Sequence, residues 1–244
     1  RKQNGQPMRF LLTIGGAGAQ KEIFAYIIKY LIPYIKKNKA VLYVNVGDYK
    51  NVWDELIRDI PQMRELATEH FDNWKDTKAF ATKALSASQI NNSDVVTDNN
   101  RDDNSKNITA DNSSKDTSDN ITGIHGFYHK NIFEAVYCTN LLMRSADVLV
   151  TKPSELAFYP VPKLFIKRVG GHEQWGAVHS AEIGDGTLEC RDIPHTLQMI
   201  KLFMEDDTYI IDMCKNIKKN KQMGIYNGAY EAVKLAVNMK KSDI

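Results

Sequence analysis

Hydrophobic and polar positions divide the chain into short, unbroken apolar runs and longer amphipathic stretches. Phe10 to Ile14 (FLLTI) is continuously apolar apart from one Thr and ends at Gly15-Gly16-Ala17-Gly18. A strand buried on both faces has this pattern, with glycine turning it into a helix. From Gln20 to Ile35, residues Ile23, Tyr26, Ile27, Tyr30, Leu31 and Tyr34 fall on one helical face. Ala40 to Val46 (AVLYVNV) is a second strand-like run, closed by Gly47-Asp48. Strand, helix and strand at this spacing predict a βαβ unit with a right-handed crossover.

Asn51 to Leu85 predicts helix, with Trp53, Leu56, Ile57 and Ile60 on one face and a break at Pro61. Both periods vanish from Ser86 to Thr122, where Asn, Asp, Ser, Thr and Lys dominate. Such a segment buries too little apolar surface to offset its ordering entropy, so a disordered insertion is expected at 86–122. The Asn91, Asn107, Asn112 and Asn120 sequons follow from that composition. The pattern resumes at Gly126-Phe127-Tyr128, and a helix is expected from Ile132 to Ser145 and a strand from Asp147 to Thr151. Pro153, Ser154 and Glu155 suit the start of a helix. A strand at Lys163–Lys167, helices at Glu173–Ile183 and from Pro194 to about Met204, and two more helices around the basic run Lys215–Lys221 complete the chain. Strands alternating with helices predict an α/β domain with a Rossmann-like parallel sheet. It spans residues 10–85 and 123–244, with 1–9 as a leading linker.

Composition narrows the function classes. A net charge of +2 across 244 residues is too small to indicate nucleic-acid binding. Cys138, Cys190 and Cys214 are scattered and odd in number, which fits reduced thiols in a cytoplasm better than a disulfide framework. The most apolar stretch, Ile23–Ile35, carries Lys29 and Pro33 and falls short of the roughly 20 residues a membrane span requires. The opening Arg1-Lys2-Gln3-Asn4-Gly5-Gln6-Pro7 has neither an initiating Met nor a secretion signal, so further polypeptide is expected upstream.

Three segments carry candidate chemistry. Gly15, Gly16, Ala17 and Gly18 lie between a buried strand and an amphipathic helix, where glycine admits close backbone approach and free N–H groups attract a diphosphate. A tight turn without a ligand reads equally well, because neither GxGxxG nor a Walker Lys-Ser/Thr is present. Thr151-Lys152-Pro153-Ser154-Glu155 follows a strand end, where parallel α/β sheets bind ligands, although Glu155 could serve only to cap. Gly170-Gly171-His172-Glu173-Gln174-Trp175 offers mixed donors and acceptors of the kind a sugar ring takes, or a merely polar helix start over a packed Trp175. No Ser-His-Asp set, HExxH or metal-ligand spacing is visible.

These elements, in this order, resemble the carboxyl-terminal domain of the GT-B glycosyltransferases. The likeness is to the family of the peptidoglycan N-acetylglucosaminyltransferase and plant monogalactosyldiacylglycerol synthase. It is strongest over Leu142–Gly186, where a helix ending in Ala146-Asp147-Val148 leads to Ser154-Glu155, then Pro162, then the His/Glu/Gln loop. The resemblance implies that the chain binds a nucleotide sugar, a UDP-sugar, for inverting transfer without a metal or cofactor. It assigns Ser154 and Glu155 to the nucleotide, with Glu155 on the ribose. It sets Gly15, Gly16, Ala17 and Gly18 by the diphosphate, and Phe127, Tyr128 and His129 near the base through their backbone. His172, Glu173 and Gln174 fall to the sugar. The catalytic base would belong to a missing N-terminal acceptor domain or partner subunit, and a lipid acceptor would place the enzyme peripherally at a membrane. Lys152-Pro153 replaces the family's small, glycine-rich loop before Ser-Glu. A sugar-nucleotide 2-epimerase and a non-catalytic nucleotide-sugar-binding module are the alternatives.

Overall fold

The computed structural model describes residues 5–14, 20–89 and 121–242. Among these residues six strands form one parallel sheet in the order β3-β4-β2-β1-β5-β6. The strands are β1 (Met8–Thr13), β2 (Ala40–Asn45), β3 (Ala67–Phe71), β4 (Ile124–Tyr128), β5 (Val148–Thr151) and β6 (Lys163–Phe165). The helices are α1 (Lys21–Lys36), α2 (Lys50–Asp59), α3 (Met63–Leu66), α4 (Trp74–Gln89), α5 (Ile132–Met143), α6 (Gln174–Glu182), α7 (Ile193–Glu205), α8 (Asp207–Gln222) and α9 (Gly228–Ser242). This is the Rossmann-like α/β architecture the sequence pattern predicts.

The apolar runs are unbroken because alternate residues enter two different cores. Phe10 and Leu12 of β1, Leu42 and Val44 of β2, and Val148 and Val150 of β5 pack with α1, α2 and α7. Leu11, Val41, Tyr43 and Leu149 point the other way, into a core shared with Phe80 of α4 and with Cys138 and Leu142 of α5. Period-two alternation therefore gives burial on both faces. All three cysteines are free thiols, as the scattered spacing suggests, with Cys138 and Cys190 buried.

Four boundaries differ from expectation. First, β1 begins at Met8, so Met8 and the buried Arg9 belong to the sheet rather than to a leading linker. The Arg9 guanidinium donates to the Ala84 carbonyl at 2.7 Å, an interaction 75 residues away that local pattern cannot reveal. Second, the helical stretch 51–85 is interrupted by β3, which among the described residues pairs with β4 alone and leaves Thr68 and Glu69 exposed. Edge pairing overrides the mixed local propensity of this polar segment. Third, α4 runs on to Gln89, and Ile121 is buried, so the expected insertion is shorter than 86–122; residues 90–120 lie outside the described residues. Fourth, the helix expected from Pro153 is a single 3₁₀ turn, Glu155–Phe158. Pro160 and Pro162 forbid continuation by removing N–H donors and crowding the preceding residues.

Gly126 on β4 shows how tightly the edge is packed. A Cβ there would lie 2.4 Å from the fully buried Trp53 indole, so glycine is what lets that ring lie against the sheet. The Trp53 indole N–H donates to Glu69 at 2.9 Å, fastening α2 to β3.

Strand order sets the position of the site. The chain leaves β1 toward β2, β4 and β3 on one side, then crosses to place β5 and β6 on the other. Parallel α/β sheets bind ligands beyond the carboxyl ends of the strands at such a reversal.

Candidate functional site

A cleft of about 250 Å³ opens where the reversal predicts it. Thr13 and Ile14 line it from the end of β1, Asn45, Gly47, Asp48 and Tyr49 from the end of β2, and Thr151 to Glu155 (except Pro153) from the end of β5. Ile132, Ala135, Val136 and Thr139 of α5 form its wall.

Asn45 organises the floor. Its amide donates to the Ala135 carbonyl at 3.1 Å and the Thr139 hydroxyl at 2.8 Å, while its oxygen accepts the Gly47 N–H at 3.0 Å. One buried side chain thereby fixes α5 against the β2 loop, which turns at Gly47 with φ of +63°. A Cβ at that φ would be strained. The α5 start is fixed separately by Asn131, whose side chain accepts the Phe133 N–H at 3.0 Å.

The β5 loop presents the carboxylate singled out by sequence. Ser154 caps the 3₁₀ turn, its hydroxyl accepting the Leu156 N–H at 3.4 Å. Glu155 is the first residue of that turn, exposed and on the cleft lining. Among the described residues no group bonds its carboxylate. A capping role would place that carboxylate on backbone N–H groups, and Ser154 already fills that role.

The other sequence candidates are placed differently. Residues 15–19, with Gly15, Gly16, Ala17 and Gly18, lie outside the described residues, between the cleft-lining Ile14 and Gln20. Phe127, Tyr128 and His129 do not line the cleft. Phe127 is fully buried, with its ring stacked on His70 at 4.8 Å. Their backbone groups are committed to the fold: the Phe127 carbonyl takes the Val46 N–H, the Tyr128 carbonyl takes the Asp72 N–H, and the His129 N–H goes to the Gly47 carbonyl. His172, on the turn after β6, and Gln174, the first residue of α6, are exposed, and Trp175 is 71% exposed rather than packed beneath them. Glu173 turns inward, where its carboxylate accepts the N–H groups of Val169 at 2.9 Å and Gly170 at 3.2 Å and pairs with Lys152. That ion pair ties the β5 loop to the β6 loop and explains Lys152 at a position where glycine would leave the loops independent. Asn45, Asp48, Tyr49 and Thr139 were missed as site residues. Gly47-Asp48 at a strand end is the signal for them in the sequence, where local pattern marks only a strand terminus.

The family model described as a domain of unknown function, DUF6938, matches residues 1–112 and 88–237. The chain belongs to the DUF6938 family. No curated protein matches it in sequence. Among solved structures, the DUF6938 chain is similar in fold to UDP-GlcNAc 2-epimerase from Neisseria meningitidis bound to UDP-GlcNAc, with a TM-score of 0.50 and 10% identity. The match covers 95% of this chain and 45% of the epimerase chain, so the DUF6938 chain spans about half the length of that enzyme. At that identity the likeness is one of fold, a Rossmann-like α/β domain. Among the described residues no helix is long and apolar enough to cross a membrane.

Proposed function

We propose that the DUF6938 chain is a nucleotide-sugar-binding domain that holds a UDP-sugar for glycosyl transfer, with the acceptor held by a second domain or subunit. The observation that carries this reading is Glu155, a carboxylate with no partner among the described residues, on the lining of a cleft at the strand-order reversal. A carboxylate so placed accepts both hydroxyls of a ribose. The loop 15–18 would meet the diphosphate with backbone N–H groups at the start of α1, and Ser154 would add a hydroxyl. Donors fixed in this way stabilise the charge that develops on a departing diphosphate. His172 and Gln174 are free to reach the sugar, while Glu173 orients their loop through Lys152. Phe127, Tyr128 and His129, which do not line the cleft, take no part in this reading.

Two observations favour a second body over the cleft. The chain matches less than half of the epimerase. Ile132 and Val136, on the cleft wall, are 51% and 60% exposed, and Phe133 beside them is 82% exposed. An apolar rim of this kind marks an interaction surface. The likeness to an epimerase bound to its nucleotide sugar also favours a second reading, epimerisation of the same class of ligand.

Glu155→Gln tests the ribose contact. The amide keeps only part of the acceptor pattern, and charge-assisted hydrogen bonds contribute roughly 1.5–3 kcal/mol, so UDP affinity is expected to fall about tenfold or more. A 2′,3′-dideoxy analogue should bind both proteins equally, and calorimetry on the two proteins with the two ligands isolates the contact. Additive effects across that cycle would remove Glu155 from the ribose.

A further inference from the structure

A second cluster sits at the carboxyl ends of β3 and β4, where Asp72 meets His129 and Glu134 from more than fifty residues away. Asp72 closes β3 with a φ of +48°, His129 follows β4, and Glu134 lies in the first turn of α5. One ligand atom from each lies within 4.8 Å of the other two. The Asp72 carboxylate is oriented by the Lys130 N–H at 3.1 Å.

His129 gives the cluster its meaning. Its side chain is fully buried, and Nε2 lies 2.9 Å from the Thr77 hydroxyl. Nδ1 has no hydrogen-bond partner and faces the Glu134 carboxylate at 3.6 Å. If Nδ1 carries the proton, that separation is too long for a hydrogen bond. If Nε2 carries it and donates to Thr77, the Nδ1 lone pair faces a carboxylate. The second arrangement is that of a metal-binding imidazole, whose outer N–H is held by a neighbouring acceptor while the inner nitrogen and adjacent carboxylates meet a cation. The Trp74 ring stands edge-on to His129 at 5.5 Å and shields one side, while Asp72 is exposed on the other.

We propose that Asp72, His129 and Glu134 bind a divalent transition-metal cation, with zinc as the best match to the donor set. Zinc accepts both imidazole nitrogen and carboxylate oxygen, and three protein ligands at a partly open site leave a coordination position for water. Bonds of about 2.0–2.2 Å place neighbouring donors about 3.3 Å apart, so modest side-chain rotations at Asp72 and Glu134 close the present spacing. The site is separate from the nucleotide reading and does not depend on it.

The test is equilibrium dialysis of tag-free protein against zinc alone, without nucleotide, with metal content read by mass spectrometry. His129 is buried, so the informative variants are Asp72→Asn and Glu134→Gln. Asn tolerates the left-handed backbone at 72, and circular dichroism confirms that each variant keeps its fold. One zinc per chain is expected, with affinity at least about tenfold weaker in each variant. Failure of the wild type to bind stoichiometrically, or wild-type affinity in either folded variant, would overturn the proposal.

Discussion

Replacing Lys163 by Met is expected to cost about 3–5 kcal/mol of folding stability, the range found when one member of a buried ion pair is removed. Lys163 on β6 is fully buried, and its ammonium uses all three donors, on Asp185 at 2.8 Å, the Tyr159 carbonyl at 2.8 Å and the Val161 carbonyl at 3.0 Å. Asp185 is equally buried, and the Tyr226 hydroxyl donates to the same carboxylate oxygen at 2.8 Å. Burial pushes the Lys163 ammonium below its ordinary range despite the pull of Asp185, so desolvation outweighs the attraction. The methionine side chain fills the volume but leaves a carboxylate and two carbonyls in apolar surroundings. Lys163→Met combined with Asp185→Leu removes both charges and is expected to recover a large part of the loss. Urea unfolding of the single and double variants measures this. A single-variant loss below about 1 kcal/mol would place the pair in contact with water.

A second large effect is expected from pH. His125 on β4 is enclosed by Tyr43, His70 and Phe80, and burial followed by the charge of His70 holds its pKa down to about 4. Arg9 and Lys83 act in the same direction, opposed by a hydrogen bond to the Thr122 carbonyl. That bond requires the proton on Nε2, so Nδ1 accepts from His70, whose other nitrogen meets Asp76 at 2.6 Å. Above pH 6.5 the His125 imidazole is neutral whether the chain is folded or unfolded, and it contributes no pH dependence. Between pH 6.5 and 4 the unfolded chain binds a proton that the folded chain refuses. Stability therefore falls as pH falls, by about 1.4 kcal/mol per unit and about 3 kcal/mol in all. Denaturant unfolding at pH 7 and pH 5 should show about 2 kcal/mol of this loss, before most carboxylates titrate. His125→Asn keeps an acceptor toward His70 but cannot take up the proton, so its profile should be flatter by that amount. Parallel profiles for the two proteins would show that His125 titrates normally.

Those two groups illustrate what the sequence conceals. KLFIK reads as a strand, and the pairing of its Lys163 with Asp185 is invisible because the partner lies beyond an intervening helix. By contrast β1, β2 and β5 were legible, since an unbroken apolar run is what a strand buried on both faces requires. The edge strand β3 was not, because Ala67-Thr68-Glu69-His70-Phe71 buries mainly His70 and owes its conformation to pairing with β4. The placement of Ser154 and Glu155 beyond a strand end is legible from the apolar run and the capping residues that follow it, and both line the cleft. Asn45 was hidden, for its role depends on Ala135 and Thr139, ninety or more positions away. The sequence offers nothing to single out the His129 ring, whose Nδ1 has no hydrogen-bond partner among the described residues only because the fold buries it there.

A thermal-shift titration with UDP and UDP-sugars tests most directly whether the cleft beside Glu155 holds a nucleotide sugar. Ligand at about 100 times its dissociation constant stabilises the folded state by roughly 2.7 kcal/mol. For a chain of this size that corresponds to a rise in melting temperature of roughly 5–10 °C. Such a rise is expected with UDP, and only about half of it or less in Glu155→Gln at the same ligand concentration, because a tenfold weaker dissociation constant leaves about 1.4 kcal/mol. An unchanged melting temperature with UDP and every UDP-sugar at saturating millimolar concentration would contradict nucleotide-sugar binding in that cleft.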